Sequence, residues 1–149
     1  EEFDKEKDIL LKMGAKEVIN RNEYMRDPVK SLDKGIYAGG VDTVGGDILA
    51  KMISMISNHG AISCCGNVAG MKFTSSVFPF ILRGISLIGI DSAESPLAFK
   101  QDIWNLFANE WSLNLDTYTR ALPLNDIDDE ISRILEGKQV GRVVITHEV

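Results

Sequence analysis

The chain has 149 residues, 44% of them hydrophobic and 26% charged, which is the composition of an ordinary globular protein. Its net charge of −6 and the lack of a long basic stretch argue against non-specific binding of nucleic acid. No apolar run approaches the roughly 20 residues of a membrane-spanning helix, and the charged opening residues Glu1–Lys7 predict no signal peptide.

The first third of the chain begins with an amphipathic pattern. Residues 4–13 predict a helix that ends at Gly14, since glycine readily takes the left-handed conformation of a helix C-terminus. Residues 16–20 (KEVIN) predict a short buried strand. Residues 21–34 are charged and contain Pro28, which predicts a loop or a short helix.

The middle of the chain alternates strands and helices. Residues 36–44 predict a strand that leads through the turn Gly45-Gly46 into a helix with the apolar stripe Ile48, Met52 and Ile56. Leu49 and Ile53 widen that stripe. We expect Gly60 to end this helix, with His59 at its C-terminal end, before a strand at residues 61–65.

Further elements complete the chain. Pro79 limits a helix at residues 74–83, and residues 85–90 (ISLIGI) predict a strand. Ser95 is the predicted N-cap of a helix with Pro96 at its first position, and Asn125 is the predicted N-cap of the next helix. That helix ends at Gly137, and residues 140–146 form the last predicted strand.

This alternation is typical of parallel sheets covered by helices, so the sequence predicts an α/β fold. In such folds ligands bind beyond the carboxyl ends of the strands. Three loops follow predicted strands there, at residues 44–46, 65–67 and 89–92. They form either one wall of a nucleotide site or ordinary turns, and their spacing favours the turns.

Chemistry-bearing motifs are sparse. No G-x-G-x-x-G phosphate loop and no G-x-S-x-G elbow occur. Asp42 is a candidate acid, although a turn or capping role fits it better. Cys64 and Cys65 are adjacent, so we expect reduced thiols in a cytoplasmic protein. With only two distant histidines, the sequence predicts no metal site, and no residue is assigned a catalytic role.

Longer stretches of sequence carry a resemblance to a known family. GAKEVI at residues 14–19 and AGGVDTVGG at residues 38–46 are similar to the third and fourth Rossmann strands of medium-chain dehydrogenases and reductases. PFILRGISLIGIDS at residues 79–92 and Gly141-Arg142 resemble the YhdH/YhfP quinone oxidoreductases, which include acrylyl-CoA reductases. The resemblance covers essentially the whole chain, and the run at residues 79–92 is its most specific part.

The resemblance implies a zinc-independent, NADPH-dependent oxidoreductase that passes a hydride to a quinone or an acrylyl-CoA-like acceptor. It implies cofactor contacts for five residues: Arg21, Asn67, Ile81, Ser92 and Gly137. It also implies a homodimer paired through the strand at residues 85–90. No nucleic acid and no membrane are among the expected partners.

The resemblance further implies a partial Rossmann fold, a doubly wound parallel sheet without its first two strands. Residues 1–92 would belong to the NADP-binding domain, and residues 93–149 would supply helices and a strand that return to the catalytic domain. The strand at residues 16–20 would then lack its neighbour and be displaced or paired elsewhere. As a fragment the chain is expected to be inactive alone. The alternative is a non-enzymatic nucleotide-binding or dimerisation module.

Overall fold

The computed structural model describes residues 2–112, 114–115 and 118–147. They divide into two compact units. Leu10–Ser95 form one unit, and the residues before Leu10 together with those from Pro96 onward form the other. The assignment of residues 1–92 and 93–149 to two domains of an enzyme stays a prediction.

The Leu10–Ser95 unit is built around a parallel sheet. Its elements are the end of α1 (Glu2–Lys12), α2 (Arg21–Tyr24), β1 (Tyr37–Asp42), α3 (Gly46–Met55), β2 (Ile56–Cys64), α4 (Phe78–Arg83) and β3 (Ser86–Gly89). The strand order is β1-β2-β3, and both pairs are parallel. The predicted α/β class and partial Rossmann sheet are therefore confirmed.

The core of this unit lies between α3 and β2. Leu49 and Ile53, four residues apart on one face of α3, are at most 1% exposed. They cluster with Ile56 and Ile62 of β2 and with Ile85. The apolar stripe predicted for α3 thus has Leu49 and Ile53 at its centre, while Ile48 and Met52 are only partly buried.

The boundary between α3 and β2 differs from the prediction. The helix ends at Met55, and β2 begins at Ile56. Tyr37 pairs with Ile56 and Gly39 with Ala61, so β2 carries extra residues in a bulge. His59 lies in this bulge at φ 63°, and its predicted place at a helix end is wrong. Tertiary contacts stop the helix, because Arg83 donates to the carbonyl oxygens of Ser54 and Ile56 at 3.0 and 2.8 Å.

The strand predicted at residues 16–20 is wrong. These residues have no regular structure, and Asn20 is instead the N-cap of α2, its Oδ1 accepting from Asn22 N at 2.8 Å. A strand needs a neighbour for its backbone groups, and no described strand pairs with this segment. The expected displacement from the sheet is therefore what the structure has.

The second unit contains α5 (Leu97–Ala108), β4 (Thr119–Pro123), a 3₁₀ turn (Leu124–Asp126), α6 (Ile127–Leu135) and β5 (Arg142–Thr146). β4 and β5 pair in parallel, so β4, α6 and β5 form a β-α-β unit. The sequence analysis missed β4, a five-residue strand that ends in Pro123. Arg120 of β4 and Glu130 of α6 form an ion pair at 2.5 Å.

Two predicted helix caps are wrong, and so is the helix stop predicted at Gly60, which lies within β2, whereas the glycine stops after α1 and α6 are right. Ser95 Oγ donates to the carbonyl oxygen of Asp91 instead of capping α5, and Asn125 lies inside the 3₁₀ turn. Gly14 and Gly137 follow α1 and α6 with positive φ. At Gly137, the amides of Gly137 and Lys138 reach back to the last carbonyls of α6, which is the Schellman arrangement.

Candidate functional site

The carboxyl ends of the three parallel strands lie in one row. Asp42 of β1 is in register with Cys64 of β2, and Cys64 is in register with Gly89 of β3. Beyond the ends of β2 and β3 lies a surface depression of about 560 Å³, lined by residues 64–67 and 89–91. This is the edge at which sheets of this type bind ligands.

Asp42 anchors this row of strand ends. Its side chain is 1% exposed. Its carboxylate accepts from Gly45 N at 3.0 and 3.1 Å and from Val44 N at 3.4 Å. These bonds hold the turn between β1 and α3, so the turn role weighed for Asp42 from sequence is the one the structure has.

The two adjacent cysteines differ in environment. The Cys64 thiol is half-buried and donates to Asp42 Oδ2 at 3.3 Å, whereas Cys65 is exposed. Burial, followed by the hydrogen bond to Asp42, raises the pKa of the Cys64 thiol, so the thiol stays protonated at neutral pH. Both cysteines are free, and both line the depression.

Two glycines of the depression have different reasons to be glycine. A Cβ on Gly66 would lie 1.8 Å from the carbonyl oxygen of Thr43, so the fold itself requires glycine there. A Cβ on Gly89 would meet nothing within 4 Å. Neither packing nor a positive φ therefore requires glycine at 89, and a side chain there would take up space next to the depression.

The structure brings together only part of the predicted site. Asn67 lines the depression, and Ser92 follows its last lining residue, Asp91. Ile81 is 69% exposed on α4, and Arg21 is exposed at the start of α2. Gly137 belongs to the other unit, where it ends α6. The cofactor roles of these five residues stay predictions.

The sequence analysis did not predict one hydrogen bond of the site. The loops at residues 65–67 and 89–92 were recognised as candidate walls, but the hydrogen bond between Cys64 and Asp42 was not. Position along the chain could have indicated this contact, because Asp42 and Cys64 are each the last residue of a strand.

Tyr24, on the same short helix as Arg21, has its pKa raised to about 12 by burial and by nearby Tyr37 and Asp33.

Among the described residues, no group of three His, Cys, Asp or Glu side chains is arranged to hold a metal. Within the same residues, no helix combines the length and apolar character needed to cross a membrane.

Comparisons with known proteins agree on one family for this chain. Residues 2–109 match the family model described as zinc-binding dehydrogenase. The chain is 34% identical over 140 residues to YhfP of Bacillus subtilis, named as a quinone oxidoreductase, and 32% identical over 139 residues to the acrylyl-CoA reductase AcuI of Ruegeria pomeroyi. Each match covers 93% of this chain but 42% of the relative, so the chain spans less than half of their length.

Solved structures agree with these relatives. The crystal structure of Bacillus subtilis YhfP with NAD bound has a TM-score of 0.89 at 34% identity, covering 94% of this chain and 43% of that one. The YhdH oxidoreductase from Salmonella enterica in complex with NADP has a TM-score of 0.83 at 27% identity, covering 93% and 43%.

Proposed function

The chain belongs to the zinc-binding dehydrogenase family, in its YhdH/YhfP group, and from this premise we propose that it is the cofactor-binding part of a nicotinamide-dependent oxidoreductase. The observation that carries the proposal is the depression beyond β2 and β3, with Gly89 beside it leaving room for a ligand. The related YhfP and YhdH structures contain NAD and NADP respectively.

NADPH is the proposed cofactor, and it supplies the hydride. Five residues are proposed to contact it: Arg21, Asn67, Ile81, Ser92 and Gly137. Asn67 offers an amide at the depression, and the exposed Arg21 has a guanidinium able to meet an adenine or a phosphate. We propose that these residues orient the cofactor, which supplies the hydride chemistry.

The proposed acceptor is a quinone or a thioester with an activated double bond, such as acrylyl-CoA. The names of the relatives YhfP and AcuI support this class. We propose that the enzyme works without zinc. Metal analysis of the purified full-length protein tests this, and activity that disappears with a chelator and returns with zinc would contradict it.

We also propose that the enzyme is a cytoplasmic homodimer that pairs through β3, with neither membrane nor nucleic acid as a partner. β3 is an edge strand of the described sheet, and Ile88 and Ile90, on and just after it, are about half exposed. Free edges of this kind favour pairing with another strand.

An NADPH fluorescence titration tests the proposed function. The 149-residue chain is compared with the natural full-length protein that carries it. We expect micromolar binding by the full-length protein only, because this chain contains no G-x-G-x-x-G loop. Acceptor screening then starts with acrylyl-CoA and quinones. Equal binding by both would show that the phosphate loop is not needed, and it would contradict the assignment of this site to a fragment of the family. Binding without turnover of any acceptor would favour a non-enzymatic nucleotide-binding module.

A further inference from the structure

We propose that Asp42 is a positioning residue for the cofactor, acting through the thiol of Cys64 and the backbone of all three strand ends. The proposal rests on the proposed function, because it assumes that the depression holds NADPH. Asp42 itself is not among the residues that line the depression.

Asp42 accepts hydrogen bonds from several neighbouring segments. Its carboxylate receives two kinds of donor, the amides of the turn before α3 and the Cys64 thiol at 3.3 Å. Its carbonyl oxygen accepts from Cys65 N at 2.9 Å and from Cys65 Sγ at 3.5 Å. One buried residue therefore holds β1, the turn after it and both cysteines of the depression.

A backbone hydrogen bond of Cys64 extends this network to the loop after β3. The carbonyl oxygen of Cys64 accepts from Ile90 N at 2.9 Å. Cys64 thus links Asp42 on one side to the loop after β3 on the other. A shift of Cys64 would move the two lining segments, residues 64–67 and 89–91, relative to each other.

The carboxylate of Asp42 is stabilised by neutral donors. No lysine or arginine forms an ion pair with Asp42 among the described residues, so its carboxylate is stabilised by amides and a thiol. A buried carboxylate that loses a donor is costly, and the surrounding chain adjusts to replace that donor. The Cys64 thiol is therefore held towards Asp42 Oδ2.

The test uses four variants of the natural full-length protein and the affinity for NADPH. Asp42→Asn keeps an acceptor for Gly45 but loses the charge, and Cys64→Val keeps an apolar side chain, somewhat larger than cysteine, but loses the donor. We expect both to raise Kd about tenfold, the effect of losing about 1.4 kcal/mol. Cys64→Ser keeps a donor and should retain more of the affinity than Cys64→Val. Asp47→Asn, an exposed carboxylate in the first turn of α3, is the matched charge control.

A second readout separates positioning from general stability. The titratable groups that act on Cys64 are Asp42 and Cys65. Burial contributes most to the raised pKa of Cys64 and Asp42 contributes next, so Asp42→Asn should lower that pKa and speed alkylation of Cys64 by iodoacetamide at neutral pH. Peptide mapping by mass spectrometry measures this, and Asp47→Asn should leave the rate unchanged.

The outcomes are distinguishable. Wild-type affinity in Asp42→Asn or Cys64→Val, or an unchanged alkylation rate in Asp42→Asn, overturns the positioning role while the cofactor site stands. If the wild-type protein itself does not bind NADPH, the proposed function fails and this inference fails with it.

Discussion

At the scale of single residues, Arg83 is the side chain that links the most segments of the Leu10–Ser95 unit. Its guanidinium donates to the carbonyl oxygens of Ser54 and Ile56, and also to that of Asp33. The first two belong to the end of α3 and the start of β2, where the last helix carbonyls need partners from outside the helix and a positive charge is favourable. Arg83 thereby sets the boundary that the sequence analysis placed too late.

Removal of Arg83 should destabilise the fold. We expect Arg83→Ala to lower the free energy of unfolding by about 2–3 kcal/mol, because three carbonyls lose a charged donor. Arg83→Lys should lower the free energy of unfolding by less than Arg83→Ala, because an ammonium keeps the charge but lacks the planar donor geometry of a guanidinium. Urea denaturation measures this. Arg26→Ala removes an exposed ion pair to Glu23 and should cost at most about 0.5 kcal/mol. Equal losses for Arg83→Ala and Arg26→Ala would contradict the prediction.

Gly66 and Gly89 make a second residue-scale test. Gly66→Ala places a Cβ against the carbonyl oxygen of Thr43 and should cost about 2 kcal/mol or more of stability. Gly89→Ala should leave stability unchanged or slightly higher, yet weaken NADPH binding about tenfold. Thermal unfolding and a fluorescence titration of the full-length protein separate the two effects. Unchanged affinity in Gly89→Ala would show that the cofactor does not approach this edge.

Tyr24 predicts a pH dependence of stability. Its pKa in the folded chain is about 12, above the ordinary value of 10.0, because burial disfavours the phenolate. The stabilisation is fully present below pH 10 and is lost as the pH rises towards 12. Tyr24→Phe should therefore flatten the decline in unfolding free energy between pH 10 and 12, measured by urea denaturation. The same decline in both proteins would contradict the assignment.

At the scale of elements, the glycine signal predicted two of three helix ends correctly and failed at Gly60. The glycines after α1 and α6 were predicted from sequence, because few other residues adopt positive φ without strain. The side-chain caps at Ser95 and Asn125 were predicted from the same kind of local signal and were wrong. Serine and asparagine have several possible partners, and Ser95 bonds to Asp91 instead.

The end of α6 supplies the prediction at this scale. Gly137 has φ 69° in the Schellman turn, so Gly137→Ala should destabilise the second unit by about 1 kcal/mol. Urea unfolding followed by circular dichroism at 222 nm measures the change. Glu136→Ala, in the same turn, removes only an exposed ion pair with Lys138 and is the control. Equal effects of the two variants would show that the turn does not depend on glycine.

Strand prediction at this scale succeeded only where neighbours exist. β1, β2 and β3 were found, because apolar runs between glycines match a parallel sheet. Residues 16–20 have a similar local pattern but no partner strand, whereas Thr119–Pro123 has a weak pattern and pairs with β5. Pairing is non-local, so neither outcome could be read from the segment alone.

At the scale of the whole molecule, the open question is assembly. If β3 pairs across a two-fold axis, the wild-type protein should be a dimer and Ile88→Lys a monomer, because charges on an edge strand oppose pairing. Light scattering after size-exclusion chromatography measures the mass. Val144→Lys adds the same charge at a half-exposed position of β5 and should remain dimeric. A monomeric wild-type protein would contradict the dimer proposal.

The sequence by itself determined the α/β class, the family and the glycine-rich loops of the candidate site. These depend on local periodicity, on glycine's conformational range and on long matching stretches such as residues 79–92. Only the tertiary structure decided which strands pair, where α3 ends and that Asp42 meets Cys64. Those outcomes depend on contacts between residues about 20 or more positions apart, whose partners are chosen by burial and register across the whole sheet.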